Sequence, residues 1–217
     1  MIYPNRLKEK DIIEIISPSN GIKNKHLNKY ENAVNNLKKF GFLVIEDNYV
    51  KNSINGVSST AENRATEFNK AINNKNVKAL IACSGGDYII QILDLIKSKN
   101  IVKNVKWIQG HSDITALLFY ITTAYDIATI YSFNVKTFGD SNLPNSMIEN
   151  NIQFLKGYQL VQIEYGFKIS NKKILQPWEC ITKYALIKGR IIGGCLDSLK
   201  DIIGTKYDKV KKIFKKI

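Results

Sequence analysis

The stretch VKALIACSGGDYIIQILDLI (77–96) decides the fold. Its first eight residues form a short apolar run rich in aliphatic side chains, the signature of a buried strand. Two glycines follow at Gly85 and Gly86, and the pattern beyond them predicts a helix over about 88–98. A strand, a tight Gly-containing turn and a helix make one half of a parallel β–α–β unit, which buries its strand on both faces.

The same alternation runs outward in both directions. DIIEIIS (11–17) reads as a strand leading into the loop Ser17-Pro18-Ser19-Asn20-Gly21. From His26 to Phe40, Leu27, Tyr30, Val34 and Leu37 recur at three- and four-residue steps on one helix face, and Gly41 is a suitable stop. FLVIE (42–46) is a second strand. Ser59, with Glu62 three residues on, reads as a capping box opening a helix over 60–74. Downstream, VKWIQG (105–110), a helix over 113–124 and the strand DIATIYS (126–132) continue the series, and a further helix runs to Lys156. The expectation is a parallel sheet with helices on both faces and right-handed crossovers.

Past Gly157 the pattern changes to β-like segments with little helix, VQIEYGFKI, KKILQPW and YALIKGRIIGG. This sets an N-terminal α/β domain over 1–157 and the start of a second, smaller domain over 158–217 that reads as incomplete.

Composition bounds the function. Of 217 residues, 44% are hydrophobic and 24% charged, which excludes a chain disordered throughout. No apolar run approaches the ~18 residues of a membrane span, and the start lacks a signal-peptide pattern. Cys83, Cys180 and Cys195 are too few and too scattered for a disulfide framework or zinc site, so reduced thiols and a cytoplasmic location are expected. The net charge of +13 comes from lysines dispersed among asparagine and isoleucine, a mixture that AT-rich codon usage produces. No nucleic-acid partner is expected. The tail Lys206–Ile217 reads as a basic amphipathic helix, fit either to pack its apolar face on the protein or to lie on an anionic membrane.

In parallel sheets ligands bind at the carboxyl ends of strands. Three loops fall there: Ser17–Gly21, Ser84–Asp87 and Gly110–Asp113. Gly85 and Gly86 can adopt backbone angles closed to other residues and can aim N–H groups at an anion. A tight turn and nothing more explains the spacing equally well. The pattern is neither G-x-G-x-x-G nor a P-loop, so no nucleotide cofactor is indicated. Ser112 or Asp113 is suited to cap the next helix. A Ser84–His111–Asp113 triad is conceivable, but His111 and Asp113 are too close in sequence to orient one another easily. Cys83 has no specified base beside it and reads as a buried structural thiol. His26 starts a helix away from these loops. Glu179 and Asp197 lack partners at helical spacing, so no metal site is indicated.

Taken together, SPS near the start, the Gly-Gly turn, WIQGHSDITALLFYITTAYDIATIY and GRIIGGCLDSLKDIIGT resemble the LD-carboxypeptidase family. These serine peptidases trim muropeptides, and the family includes microcin C self-immunity proteins. The resemblance implies a flavodoxin-like or Rossmann-like α/β domain joined to a small swivelling α/β domain, a peptide-like ligand and a homodimer. It implies a Ser-His-Glu triad with the serine three residues after the Gly-Gly pair, and an oxyanion held by N–H groups of that turn. Carried over, Gly85, Gly86, Asp87, Ser112 and Asp113 become the oxyanion- and substrate-binding candidates. The nucleophile position falls on Ile89, which has no nucleophilic atom. The family's Glu and His lie beyond the second block, and after Thr205 this sequence contains neither. The expectation is a catalytically impaired member that binds without cleaving by the family mechanism.

Overall fold

The computed structural model describes residues 1–158 and 191–214, together with the strand residues 167–168 and 174–175. Five strands form one wholly parallel sheet: β1 (Ile12–Ile16), β2 (Leu43–Glu46), β3 (Val77–Ala82), β4 (Trp107–Gly110) and β5 (Ile130–Tyr131). Their order is β2-β1-β3-β4-β5. This is the flavodoxin-like order, and it reverses direction between β1 and β3.

Alternation along the strands divides the core in two. Ile13 and Ile15 of β1 and Ala79 and Ile81 of β3 join one apolar cluster, with Tyr30, Val34 and Leu37 of α1 (Leu27–Lys39) and Ile148, Ile152 and Leu155 of α5 (Asn145–Leu155). Ile16, Leu80 and Ala82 point the other way. They meet Ala65, Phe68 and Ile72 of α2 (Ala61–Asn73) and Leu117, Leu118 and Ile121 of α4 (Thr115–Tyr125). Most of α4 is buried, and it is apolar nearly all round, as a helix packed on more than one side must be.

Local details depart from the sequence reading at four places. The cap of α2 is Thr60, whose Oγ1 accepts from Asn63 N–H at 3.3 Å, one residue past the expected Ser59. The helix expected over 88–98 is a 3-10 turn at Ile89–Ile92, and a short α3 (Ser98–Lys103) follows later. The Tyr88 carbonyl explains this: it accepts from Gln91 N–H at 3.2 Å and from the Arg64 guanidinium at 2.9 Å, closing the turn one residue early. The fifth strand shrinks to Ile130–Tyr131. Neither Ser112 nor Asp113 caps α4. A 3-10 turn at Ser112–Ile114 precedes that helix, and no side chain caps it.

Residues 1–158 and 192–217 make one compact unit and 159–191 another. In the first, α6 (Leu196–Lys200) and α7 (Val210–Phe214) both pack on α4. Val210 lies against the core, Lys212 Nζ donates to the Ala124 carbonyl at 3.0 Å, and Lys206 pairs with Asp94 at 2.6 Å. The described part of the basic tail therefore packs on protein. In the second unit, β6 (Phe167–Lys168) and β7 (Ile174–Leu175) pair antiparallel. The rest of the β-like segments read over 159–190 lies outside the described residues, as do Glu179 and Cys180. Among the described residues no helix is long and apolar enough to cross a membrane.

Candidate functional site

The loops after β1, β3 and β4 meet at the carboxyl edge of the sheet, beside the point where the strand order reverses. Asp47, at the end of β2, holds the first loop: its carboxylate accepts from Ser17 N–H and from Ser17 Oγ at 2.7 Å. Ser58 Oγ donates to the carbonyls of Ser17 at 2.7 Å and Ser19 at 3.0 Å. The loop so fixed presents Ser19 and Asn20 to the Gly-Gly turn.

That turn needs glycine for a different reason from the one the sequence suggests. Neither Gly85 nor Gly86 adopts a left-handed φ. Contact is what excludes side chains. A Cβ on Gly86 would stand 2.4 Å from Ser19 Oγ and 2.5 Å from Asn20 Oδ1, and one on Gly85 would stand 2.9 Å from Ser112 Cβ. Asn20 N–H also donates to the Gly85 carbonyl at 3.3 Å.

Asp113 completes the junction. Only 7% exposed, it accepts from Ser19 Oγ at 2.5 Å and from Tyr88 N–H at 3.3 Å. Ser19 Oγ in turn accepts from Tyr88 N–H at 3.0 Å. Burial pushes the Asp113 carboxyl up, and the Ser19 hydroxyl works against that shift. The Tyr88 N–H is thus satisfied inside the protein and does not face a ligand. Ser112 takes a left-handed φ of 64° so that its neighbour can turn inward to make these contacts.

The conceivable Ser84–His111–Asp113 triad is not assembled. His111 exchanges hydrogen bonds with Asn134: its N–H donates to Asn134 Oδ1 at 3.1 Å, and Nδ1 accepts from Asn134 N–H at 3.2 Å. Burial lowers the imidazole's pKa, with the Ser132 backbone opposing. Asp113 is committed to Ser19 and Tyr88. Cys83 is fully buried, its thiol donates to the Asn20 carbonyl at 3.3 Å, and burial pushes its pKa up, as fits a structural thiol.

A cavity of about 360 Å³ opens over this junction. Gly86, Asp87, Ile89, Ser112 and Asp113 line one side, and Cys195, Asp197 and Ser198 line the other. Ser198 Oγ donates to the Ser112 carbonyl at 3.2 Å and Cys195 N–H to Thr115 Oγ1 at 3.0 Å, which seats the later segment on the site. Among the described residues no group of three His, Cys, Asp or Glu side chains could hold a metal ion.

The family profile of the LD-carboxypeptidase N-terminal domain matches residues 13–132, a span containing all three loops. The chain belongs to the LD-carboxypeptidase family. A carboxypeptidase homologue from Vibrio cholerae is 28% identical over 222 residues, covering 95% of this chain and 66% of the relative. The microcin C7 self-immunity protein MccF of Escherichia coli is 26% identical over 197 residues, covering 83% and 57%. The structure of MccF in complex with aspartyl sulfamoyl adenosine superposes with a TM-score of 0.80 at 25% identity, covering 95% of this chain and 67% of that one. The chain thus spans two thirds or less of the length of these curated relatives.

Within this LD-carboxypeptidase-family chain, the position that the resemblance gives to the serine is Ile89, at the start of the 3-10 turn and 2% exposed. Two residues that hold the site were not singled out in the sequence. Ser19 lies in a candidate loop and in the SPS motif, but nothing local marks its bond to Asp113. Arg64 left a legible trace, because it falls on the apolar stripe of α2 with Ala65, Phe68 and Ile72. It is 2% exposed and donates to the carbonyls of Ser59 (3.0 Å), Pro18 (2.8 Å) and Tyr88 (2.9 Å), joining α2 to two of the three loops.

Proposed function

We propose that this chain binds a peptide-like small molecule at the carboxyl edge of its sheet and does not cleave it by the serine mechanism of its family. The observation that carries this reading is Ile89. An aliphatic side chain at the nucleophile position supplies no attacking atom, and Ile89 is 2% exposed and packed into the core cluster. Gly85, Gly86, Asp87, Ser112 and Asp113 are the proposed binding residues. Without a nucleophile, donors around the turn give at most residual rate enhancement. A homodimer and a cytoplasmic setting with reduced thiols complete the proposal; Cys83 and Cys195 are both free.

The test uses the purified chain with a muropeptide tetrapeptide. Terminal D-alanine release should not exceed the buffer control, while calorimetry should report saturable binding. Clear turnover would overturn the reading and make Ser84→Ala the next variant. The likeness to MccF, solved with aspartyl sulfamoyl adenosine, favours a second ligand class, an aminoacyl nucleoside. Competition between the tetrapeptide and aspartyl sulfamoyl adenosine separates the two.

A further inference from the structure

We infer that the chain carries a second ligand site, for a small molecule bearing a run of phosphates, at the edge of the sheet opposite the junction described above. A cavity of about 570 Å³ lies there, a volume typical of small-molecule sites. Its lining comes from the chain just before β1 (Asp11), the start of β3 (Lys78) and the residue before β4 (Lys106). The strands between the two edges span roughly 15–20 Å, so the two sites do not share residues.

Charge selects the ligand. Lys and Arg are 32 of the 217 residues, but they are five of the ten that line this cavity: Arg6, Lys8, Lys75, Lys78 and Lys106. Dispersed lysines from biased composition do not predict that concentration. The one lining carboxylate, Asp11, already accepts from Lys8 N–H at 2.7 Å. Lys106 is 6% exposed, and its ammonium donates to the carbonyls of Ala71 at 3.0 Å and Asn74 at 2.8 Å, so one cation is fixed in the cavity wall. The stem of Arg6 lies against Gly157, where a Cβ would come within 2.9 Å of it. An oligophosphate matches this set. Its oxygens suit the fork of a guanidinium and the point charges of ammonium groups, and several linked phosphates can face several cations at once. A concave wall with five cationic side chains against one carboxylate also concentrates the anion before contact.

The experiment titrates tripolyphosphate into the whole chain by calorimetry and repeats it on two charge-reversed pairs. Lys75→Glu/Lys78→Glu alters exposed residues at the cavity, and Lys38→Glu/Lys39→Glu makes the same change in net charge on exposed residues of α1. The cavity pair should weaken binding about tenfold or more and the α1 pair less than about twofold. Equal losses would mean general attraction to a basic protein and would overturn the site, as would no saturable binding at millimolar tripolyphosphate. ATP serves as a second arm. Affinity equal to tripolyphosphate indicates an inorganic chain, and tighter affinity a nucleotide; either supports the site. A short oligonucleotide that binds and is not displaced by tripolyphosphate would replace this proposal with a nucleic-acid surface.

Discussion

Ser19 and Asp113 are 94 residues apart in the chain, and the hydroxyl of one donates to the buried carboxylate of the other. The pair also holds Tyr88 N–H, so it pins the loops after β1, β3 and β4 at a single point. Ser19→Ala removes a donor from a carboxylate that has few and should lower stability by about 1–3 kcal/mol. The two residues share one network, so Ser19→Ala combined with Asp113→Asn should cost less than the sum of the single changes. Burial raises the folded-state pKa of Asp113, so its contribution is fullest at low pH and is lost as pH rises through that value. Losing the Ser19 hydroxyl raises the pKa further. The deficit of Ser19→Ala should therefore shrink as pH falls toward the ordinary carboxylate range. Urea unfolding at several pH values checks both statements, and a pH-independent deficit would remove Asp113 ionisation from the account.

Gly86 and Gly193 make a controlled comparison. A Cβ at Gly86 meets Ser19 Oγ at 2.4 Å and Asn20 Oδ1 at 2.5 Å, whereas one at Gly193 meets nothing within 4 Å. Gly86→Ala must displace a side chain that is itself hydrogen-bonded, and it should lower stability by roughly 2 kcal/mol or more along with tetrapeptide binding. Gly193→Ala should stay within about 0.5 kcal/mol of the parent. Chemical denaturation of the two variants side by side reads this out. Similar midpoints would mean that the loop carrying Ser19 yields easily.

Arg64 reaches the chain after β1 and after β3 from α2. Its guanidinium serves four acceptors: the three carbonyls and Gln91 Oε1. Lysine keeps the charge but cannot match a planar fork of donors. Arg64→Lys should therefore cost about 2–4 kcal/mol and leave buried carbonyls unpaired. It should also free the Tyr88 carbonyl, and amide exchange across 88–92 should speed up. A loss of stability with unchanged exchange there would make Arg64 a core residue that does not set the shape of the turn.

Periodicity made the scaffold legible. The apolar runs at 11–17 and 77–84 and the three- and four-residue spacing of Tyr30, Val34 and Leu37 are local signals, and a parallel sheet with helices on both faces follows from their order. What stayed hidden depends on contacts between distant residues. The turn at Ile89–Ile92 opens on a Tyr88 carbonyl held by Arg64, 24 residues away. Asp113 has the right chemistry and spacing for a helix cap, yet Ser19 and Tyr88 claim it. Gly85 and Gly86 were legible as a turn, while the close approach of Ser19, Asn20 and Ser112 that demands them was not. The proposal that Ile89 stands at the nucleophile position rests on the family resemblance, since an isoleucine after a turn otherwise reads as ordinary core.

Glu14 offers a pH-dependent test of the core itself. It sits on β1 between inward-facing isoleucines, on the α2 side of the sheet, and is 8% exposed. Burial first, then the nearby Asp47 and Glu67, outweigh the attraction of Lys106 and raise its pKa to about 7. Below the ordinary value of 4.5 the carboxyl is protonated in both folded and unfolded chains, and the shift costs nothing. Between 4.5 and about 7 the folded chain keeps a proton the unfolded chain has released, so stability falls as pH rises through this window. Above it the charged form is buried in full. Glu14→Gln keeps the shape and removes the ionisation. Its unfolding free energy from urea titration should match the parent near the bottom of the window and exceed it above the top, by on the order of 1–2 kcal/mol once solvent screening is allowed for. A constant difference across the whole range would show that Glu14 stays in one protonation state and that Lys106 holds it charged.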